Sequence, residues 1–118
     1  RGTEHYPGID EDPRTTFLCA YENGELIGCS TLQVDRREGC NFRIRGMAVR
    51  PKYRNKGVGS KIVKGLQDFA RSQGSGIWCN ARIKAVPMYE RCGFVIISDL
   101  FEIEGIGLHH DMQWKLSD

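Results

Sequence analysis

The first part of the chain alternates apolar and polar residues in a way that predicts antiparallel strands. Two strand-like runs, residues 16–21 and 25–34, flank Asn23-Gly24, and Asn-Gly is the strongest short-range signal for a β-hairpin. Residues 35–41 are polar and predict a turn that leads into a third strand at 42–49. The pattern therefore predicts a three-stranded antiparallel meander.

The third strand changes its alternation at Gly46. Apolar residues fall on even positions at Phe42 and Ile44 and on odd positions at Met47 and Val49. Such a shift beside a glycine predicts a β-bulge, because one extra residue re-aims the following side chains and leaves local backbone groups unpaired. Met47 and Val49 can equally pack under the next helix, and the two interpretations are compatible.

Beyond the third strand the pattern changes to helical spacing. Apolar residues recur at Val58, Ile62, Leu66 and Ala70 and predict a helix from about residue 57 to 72. The short apolar run 76–81 predicts a buried strand, which a helical crossover places parallel to an earlier strand. The remaining predicted elements are a helix at 83–92, a strand at 95–97, a hairpin across 101–116 and an N-terminal loop at 1–15.

The turn before the first helix is rich in glycine and basic residues. The first N–H groups of a helix have no intrahelical acceptor and carry the positive end of its dipole, so residues 55–60 can donate several hydrogen bonds to one phosphate. Gly57 and Gly59 let a ligand approach the backbone. Four basic residues add attraction, and Arg54 can fork onto a phosphate; they are Lys52, Arg54, Lys56 and Lys61. A phosphorylated cofactor is therefore predicted.

Two common phosphate-binding motifs do not fit this turn. The dinucleotide pattern G-x-G-x-x-G needs a glycine where this chain has Ile62, and the P-loop pattern has no match anywhere in the sequence. The remaining pattern is Arg54-x-x-Gly57-x-Gly59 after a strand.

Length and composition narrow the class of protein further. A chain of 118 residues with 40% hydrophobic content predicts one domain, with 1–15 as an arm and 16–116 as the core. The net charge of +2 does not favour nucleic-acid binding, and no apolar run approaches the roughly 20 residues of a membrane helix. Five cysteines without C-x-x-C spacing and three histidines without ligand spacing predict reduced thiols, a cytoplasmic location and no metal.

Three segments together resemble the GNAT superfamily of N-acetyltransferases. The Arg54 to Gly59 pattern resembles its coenzyme A pyrophosphate loop, and Asn80-Ala81-Arg82 followed by Tyr89 and Gly93-Phe94 resembles its second signature. Residues 103–112 resemble the last hairpin of many bacterial members. The resemblance covers about residues 25–116. It implies an α/β (α+β) fold with a mixed, mostly antiparallel sheet, one parallel strand pair and helices on the sheet's faces.

The resemblance also implies a reaction and a set of site residues. Acetyl-CoA would be the cofactor, and a small-molecule or protein amine would attack its thioester directly in a complex of both substrates. Tyr89 and Asn80 are the implied catalytic residues and also touch the cofactor, Tyr89 as proton donor to the leaving sulfur. The other implied cofactor-binding residues are Met47, Ala48, Val49, Arg54, Asn55, Lys56, Gly57, Val58, Gly59 and Ser60.

Several alternatives stay open at this stage. Tyr89 can be a core residue that packs its helix on the sheet, and Asn80 can be a helix N-cap or turn residue. The general base is not identified: many family members have a Glu on the bulged strand, where this chain has Arg43 and Arg45. Glu102, Glu104 and His109 are candidates by location, although each is expected to be an exposed hairpin residue.

The whole-protein function has alternatives as well. A non-catalytic acyl-CoA-binding or regulatory module would keep residues 54–60 and lose the role of Tyr89. A nucleic-acid binder that uses the basic stripe at 50–64 ranks last, because only Tyr53 stands among the basic residues. No membrane partner is expected. A homodimer is favoured, because a sheet edge is exposed and members of the resembled family often form dimers. The chain is expected to be a fragment that lacks the family's first strand and helices.

Overall fold

The computed structural model describes residues 15–116, which form one seven-stranded sheet and two α-helices. The strands lie in the order β1-β2-β3-β4-β7-β5, and β6 also pairs with β7. Within the described range β3 and β4 are the one parallel pair, so the predicted mixed sheet is confirmed. The elements are β1 (Thr15–Glu22), β2 (Glu25–Arg37), β3 (Cys40–Val49), α1 (Val58–Ser72), β4 (Gly76–Arg82), α2 (Val86–Arg91), β5 (Val95–Ile96), β6 (Phe101–Ile103) and β7 (Gly107–Trp114), with 3₁₀ turns at Pro51–Tyr53 and Ile83–Ala85.

The two turns of the N-terminal meander differ in how well the sequence predicts them. The β1–β2 hairpin turns at Asn23 and Gly24, as predicted, with φ values of 52° and 80° that these two residue types tolerate well. The predicted polar turn at 35–41 is present but shorter, at residues 38–39, because β2 continues to Arg37 and β3 begins at Cys40. Polar residues 35 and 37 stay in the strand because their side chains have charged partners across the sheet.

Both α-helices pack on the same face of the sheet. The apolar stripe predicted for α1 is buried, and Ile62, Leu66 and Ala70 are at most 2% exposed. The side-chain amide of Gln67 in α1 donates to the carbonyl of Cys92, just after α2, over 2.8 Å. The sheet and α2 complete the core with Leu32, Ile44, Ile77, Cys79, Ala81, Tyr89, Phe94 and Met112. None of the helices in residues 15–116 has the length and apolar character needed to cross a membrane.

β3 and β4 separate after a short parallel ladder. Their register runs from Cys40 opposite Gly76 to Ile44 opposite Cys79, and beyond it the two strands continue without pairing with each other. The predicted bulge is confirmed: Thr31 pairs with Gly46 and Leu32 with Ile44, so Arg45 is the extra residue. The edge of β3 beyond the bulge therefore faces a gap in the middle of the sheet.

Candidate active site

The gap between β3 and β4 opens into a cavity of about 560 Å³. This volume lies in the range typical of small-molecule sites. β3, β4, the 3₁₀ turn after β4, α2 and the β6–β7 hairpin all contribute side chains to it. The lining residues are Arg43, Ile44, Arg45, Gly46, Met47, Asn80, Ala81, Arg82, Ala85, Tyr89, Ile103, Ile106 and His109.

The segment between β3 and α1 ends in a helix N-terminus whose first N–H groups have no side-chain cap in the described part of the chain. Asn55 and Gly57 adopt φ values of 61° and 82°, and Gly57 occupies the N-cap position of α1. The first intrahelical hydrogen bond runs from the Lys61 N–H to the Gly57 carbonyl over 3.1 Å. The N–H groups of residues 58–60 precede that bond and are the donors that a phosphate would use. Within residues 15–116, no side chain caps this helix end.

Arg54 is anchored beside the N-terminus of α1. Its Nε donates to the Val49 carbonyl over 3.1 Å, and the residue is exposed. This bond uses one of the five donors of the guanidinium and leaves its two terminal nitrogens for a ligand. The predicted fork of Arg54 onto a phosphate is compatible with this geometry.

Residues 47–49 follow the bulge along the open edge of β3. On the other edge Met47, Ala48 and Val49 lie opposite Ser30, Cys29 and Gly28 of β2. The Met47 and Val49 side chains also pack against the core beside α1. Both sequence interpretations of this stretch therefore hold together, since the side chains pack and the main chain borders the gap.

Tyr89 belongs to the core and also lines the cavity. It is 6% exposed, and its ring meets Phe94 edge-on with centroids 5.2 Å apart. Its hydroxyl lies near the Cys79 thiol. Burial raises the Tyr89 pKa well above its usual value of 10, and the neighbouring Cys79 raises it further. Tyr89 is therefore a neutral hydroxyl group at physiological pH.

Asn80 is held by two charged neighbours. Its Oδ1 accepts a hydrogen bond from the Arg43 guanidinium, and its Nδ2 donates to Asp111. The interpretation of Asn80 as a helix N-cap is wrong, because Arg82 and Ala85 stand at the N-cap positions that follow. The predicted contact of Asn80 with the cofactor remains a prediction.

A charged network that the sequence analysis missed surrounds Asn80 on the face of the sheet opposite α1. Arg43 bridges to Asp35 over 3.2 Å and lies 4.6 Å above the Trp78 ring. Arg37 pairs with Asp111 and lies 5.0 Å from the same ring. Four strands contribute to this network, so only the alternation of polar residues within single strands could have indicated it.

His109 corrects the expectation that all three base candidates are exposed. Glu102 and Glu104 are exposed, whereas His109 is 3% exposed and lines the cavity. Its Nδ1 lies 2.8 Å from the Gly107 carbonyl, and its ring stacks on Phe101 at a centroid distance of 5.9 Å. A carbonyl can only accept a hydrogen bond, so Nδ1 is the donor in this contact, and in the neutral tautomer that makes it Nε2 is the nitrogen with the lone pair.

Cysteine and metal chemistry do not define a second site in residues 15–116. No disulfide joins any of the five cysteines, and Cys40 and Cys79 are buried. Burial raises the pKa of both thiols, that of Cys79 to about 12, with the nearby Asp111 carboxylate adding to the effect. Within the same range, no group of three His, Cys, Asp or Glu side chains could hold a metal ion.

The structure of residues 15–116 thus combines a split mixed sheet with a helix N-terminus that has no side-chain cap, beside the split. The sequence model of the Acetyltransferase (GNAT) family matches residues 2–94. This chain belongs to that family.

Curated relatives agree with the family match. The chain is 36% identical to YitI, an uncharacterized N-acetyltransferase of Bacillus subtilis (strain 168), over 78% of this chain and 65% of YitI. It is 31% identical to streptothricin acetyltransferase of Streptomyces lavendulae, over 79% of this chain and 50% of that protein. The chain thus spans about half to two thirds of the length of these relatives.

Solved structures share the fold at low sequence identity. Escherichia coli ElaA superposes with a TM-score of 0.78 at 16% identity, over 91% of this chain and 72% of that one. An aminoglycoside 6'-N-acetyltransferase complexed with coenzyme A gives 0.76 at 14% identity, over 91% and 76%. A Bacillus anthracis protein in complex with acetyl coenzyme A gives 0.77 at 20% identity, over 98% and 70%.

Proposed function

We propose that this protein is an N-acetyltransferase that moves an acetyl group from acetyl-CoA to a primary amine by direct attack in a complex of both substrates. The observation that carries the proposal is the gap between β3 and β4. One edge of the gap leads to the N-terminus of α1, and the cavity in the gap contains both a phenol donor, Tyr89, and an imidazole acceptor, His109.

The residues of the gap suit the two ends of the cofactor. Acetyl-CoA supplies an activated acetyl thioester when it is bound. The N–H groups of residues 58–60, with Asn55, Lys56 and the terminal nitrogens of Arg54, hold its phosphates at the end of β3. The main-chain groups of residues 47–49 on the side of the gap form hydrogen bonds with the extended arm of the cofactor, in the way that they would with an added β-strand. The Asn80 Oδ1 has a second lone pair with which it can accept from an amide of that arm.

His109 and Tyr89 handle the protons of the transfer. The amine nitrogen must lose a proton as its bond to the acetyl carbon forms, and His109 Nε2 accepts that proton. The carbon–sulfur bond breaks in the same process, and the Tyr89 hydroxyl donates a hydrogen bond to the departing sulfur. Because burial raises the Tyr89 pKa far above that of a thiol, the phenol stabilises the thiolate as a hydrogen-bond donor and keeps its own proton.

The test has a binding stage and a transfer stage. Calorimetric titration with acetyl-CoA, desulfo-CoA and ATP at two salt concentrations should give saturable binding of both CoA compounds and none of ATP. Thiol release is then measured across a panel of amines. Binding without thiol release for any amine would replace this proposal with the non-catalytic acyl-CoA module.

Gly59→Glu tests the phosphate site. A Cβ at Gly59 would lie 3.5 Å from the Met47 sulfur, which is an ordinary contact, so the variant should fold. The added carboxylate would face the phosphates, and acetyl-CoA binding should fall by at least about a hundredfold. Gly59→Ala is the matched control and should bind normally. Normal acetyl-CoA binding by Gly59→Glu would show that the loop is not the phosphate site.

Tyr89→Phe tests the leaving-group role. The variant keeps the ring that packs on Phe94 and removes only the hydroxyl. We expect kcat to fall about tenfold to a thousandfold with the acetyl-CoA dissociation constant nearly unchanged, as for the loss of one donor to developing charge. If Tyr89→Phe had the kcat of the wild type, Tyr89 would be a purely structural residue.

We also infer a cytoplasmic location and a homodimer. Five cysteines without a disulfide suit a reducing compartment. Among the described strands, β1 pairs only with β2, so its outer edge is open to a second copy. Light scattering should give about twice the chain mass of 13.4 kDa, and cell fractionation tests the location; a monomer or a membrane-bound protein would refute the respective part.

A further inference from the structure

The cavity in the strand gap is strongly cationic. Arg43, Arg45 and Arg82 all line it, and no aspartate or glutamate of residues 15–116 does. An enzyme that acetylates a polyamine needs carboxylates to hold the extra ammonium groups of its substrate. This cavity instead offers guanidinium groups, which repel a second positive charge and attract carboxylate or phosphate.

The three arginines are not equivalent. Arg43 is already paired with Asp35, bonded to Asn80 and stacked on Trp78, so its charge is largely neutralised in place. Arg45 and Arg82 are exposed, and neither forms an ion pair with a carboxylate of residues 15–116. These two guanidiniums are therefore available to a ligand.

Arg45 and Arg82 stand at the rim of the gap on different strands. Arg45 is the bulge residue of β3, and Arg82 is the last residue of β4 and lies opposite His109 in the β4–β7 register. The bulge thus places the Arg45 cation on one side of the opening. The end of β4 places the Arg82 cation on the other side, beside the proposed base His109. An anion bound between them would present a nearby amine to His109.

These arginines are separate from the proposed phosphate loop of the cofactor. Val49 is four residues further along the extended strand than Arg45, a distance of about 13 Å, and the loop at 54–60 begins beyond that. The cofactor phosphates would therefore sit at the far end of β3. Arg45 and Arg82 are left for the other substrate.

We propose that the acceptor is an amine that also carries a carboxylate or phosphate, and that Arg45 and Arg82 bind this anion. The proposal rests on the acetyl-transfer function proposed above and narrows its substrate class. Guanidinium groups bind both anions through charge-assisted hydrogen bonds, and loss of one such contact weakens binding about tenfold to a hundredfold.

Matched amine pairs test the proposal without requiring turnover. Protein labelled with ¹⁵N and saturated with desulfo-CoA is titrated with phosphoethanolamine against ethanolamine, with β-alanine against β-alaninamide, and with spermidine. The Nε–H signals of Arg45 and Arg82 report binding by NMR. At least one amine that carries an anionic group should bind about tenfold or more tightly than its partner without that group and than spermidine, and should shift both arginine signals.

Charge-neutral variants assign the effect to the two side chains. Arg45→Gln and Arg82→Gln should each reduce the preference for the anionic member by about tenfold. Arg36→Gln is the matched control, because Arg36 is exposed in β2 and does not line the cavity; it should leave the preference unchanged.

The outcomes separate this inference from the proposed function. Equal or tighter binding of spermidine or of the amines without an anionic group, or no binding of either phosphoethanolamine or β-alanine, would overturn the anionic acceptor class. A preference that survives both arginine variants would overturn the assignment to Arg45 and Arg82. Failure of desulfo-CoA to bind in calorimetry would instead remove the cofactor proposal, and an anion preference without thiol release would remove the transferase proposal alone.

Discussion

Replacement of His109 by glutamine should slow acetyl transfer far more than it weakens cofactor binding. Glutamine can still donate a hydrogen bond to the Gly107 carbonyl, which lies 2.8 Å from Nδ1 in the wild type, but it has no basic nitrogen to replace Nε2. Because His109 is 3% exposed, bulk water is poorly placed to take over. A positioned general base contributes about 10²- to 10⁴-fold, so the barrier should rise by about 2.7–5.4 kcal/mol.

The assay for this prediction measures kcat by thiol release and acetyl-CoA affinity by calorimetry. His110→Gln is the control, because His110 is the next residue of β7, also holds a carbonyl through Nδ1, that of Ser98 at 3.1 Å, and does not line the cavity. His109→Ala should regain part of its rate when free imidazole is added. A His109→Gln kcat within about threefold of wild type, in a folded variant, would refute the role of His109 as base.

Two further predictions concern stability. Burial raises the Cys79 pKa from 9.0 to about 12. The folded thiol therefore holds its proton more tightly than the unfolded one, and the free energy of unfolding should fall by up to about 1.4 kcal/mol per unit as pH rises above ~9. Denaturation between pH 8 and 10 checks this, and an equal slope in Cys79→Ala would contradict it. Gly57→Ala should lower the free energy of unfolding by about 1–2 kcal/mol, because φ is 82° at that position. Gly46→Ala is the control and should leave the free energy of unfolding almost unchanged in the same assay, because a Cβ there meets nothing within 4 Å. Equal losses in the two variants would contradict the strain argument.

The parts of the fold that the sequence predicts are those set by neighbours in the chain. The hairpin at Asn23-Gly24, the spacing of α1 and the slip at Gly46 each depend on a few consecutive residues, and all three are confirmed. The predicted turn at 35–41 is longer than the observed one at 38–39 for the opposite reason. Arg37 is held in its strand by Asp111, 74 residues away, and no local pattern carries that information.

The candidate site likewise has one part that the local sequence predicts and one part that it does not. The loop at 54–60 is a local motif, and its backbone has the predicted geometry. The burial of His109 depends on the ring of Phe101, which β6–β7 pairing places opposite it. His109 and His110 are adjacent and chemically identical in the sequence, so only the side of the strand on which each lies distinguishes the candidate base from its neighbour.

The split in the sheet explains why binding groups and charged groups occur together. β3 is held on its outer side by β2 and β4 by β7, so the bulge at Arg45 can turn the two inner edges apart without unfolding either strand. Main-chain groups on those edges then have no neighbouring strand to pair with, as they would in a continuous sheet. A ligand that forms hydrogen bonds with these groups takes the place of that strand. The Arg43–Asn80–Asp111 chain crosses from β3 through β4 to β7 beside the split. It ties the two halves of the sheet together at the point where the backbone ladder stops, and it therefore fixes the width of the opening at which Arg45 and Arg82 stand.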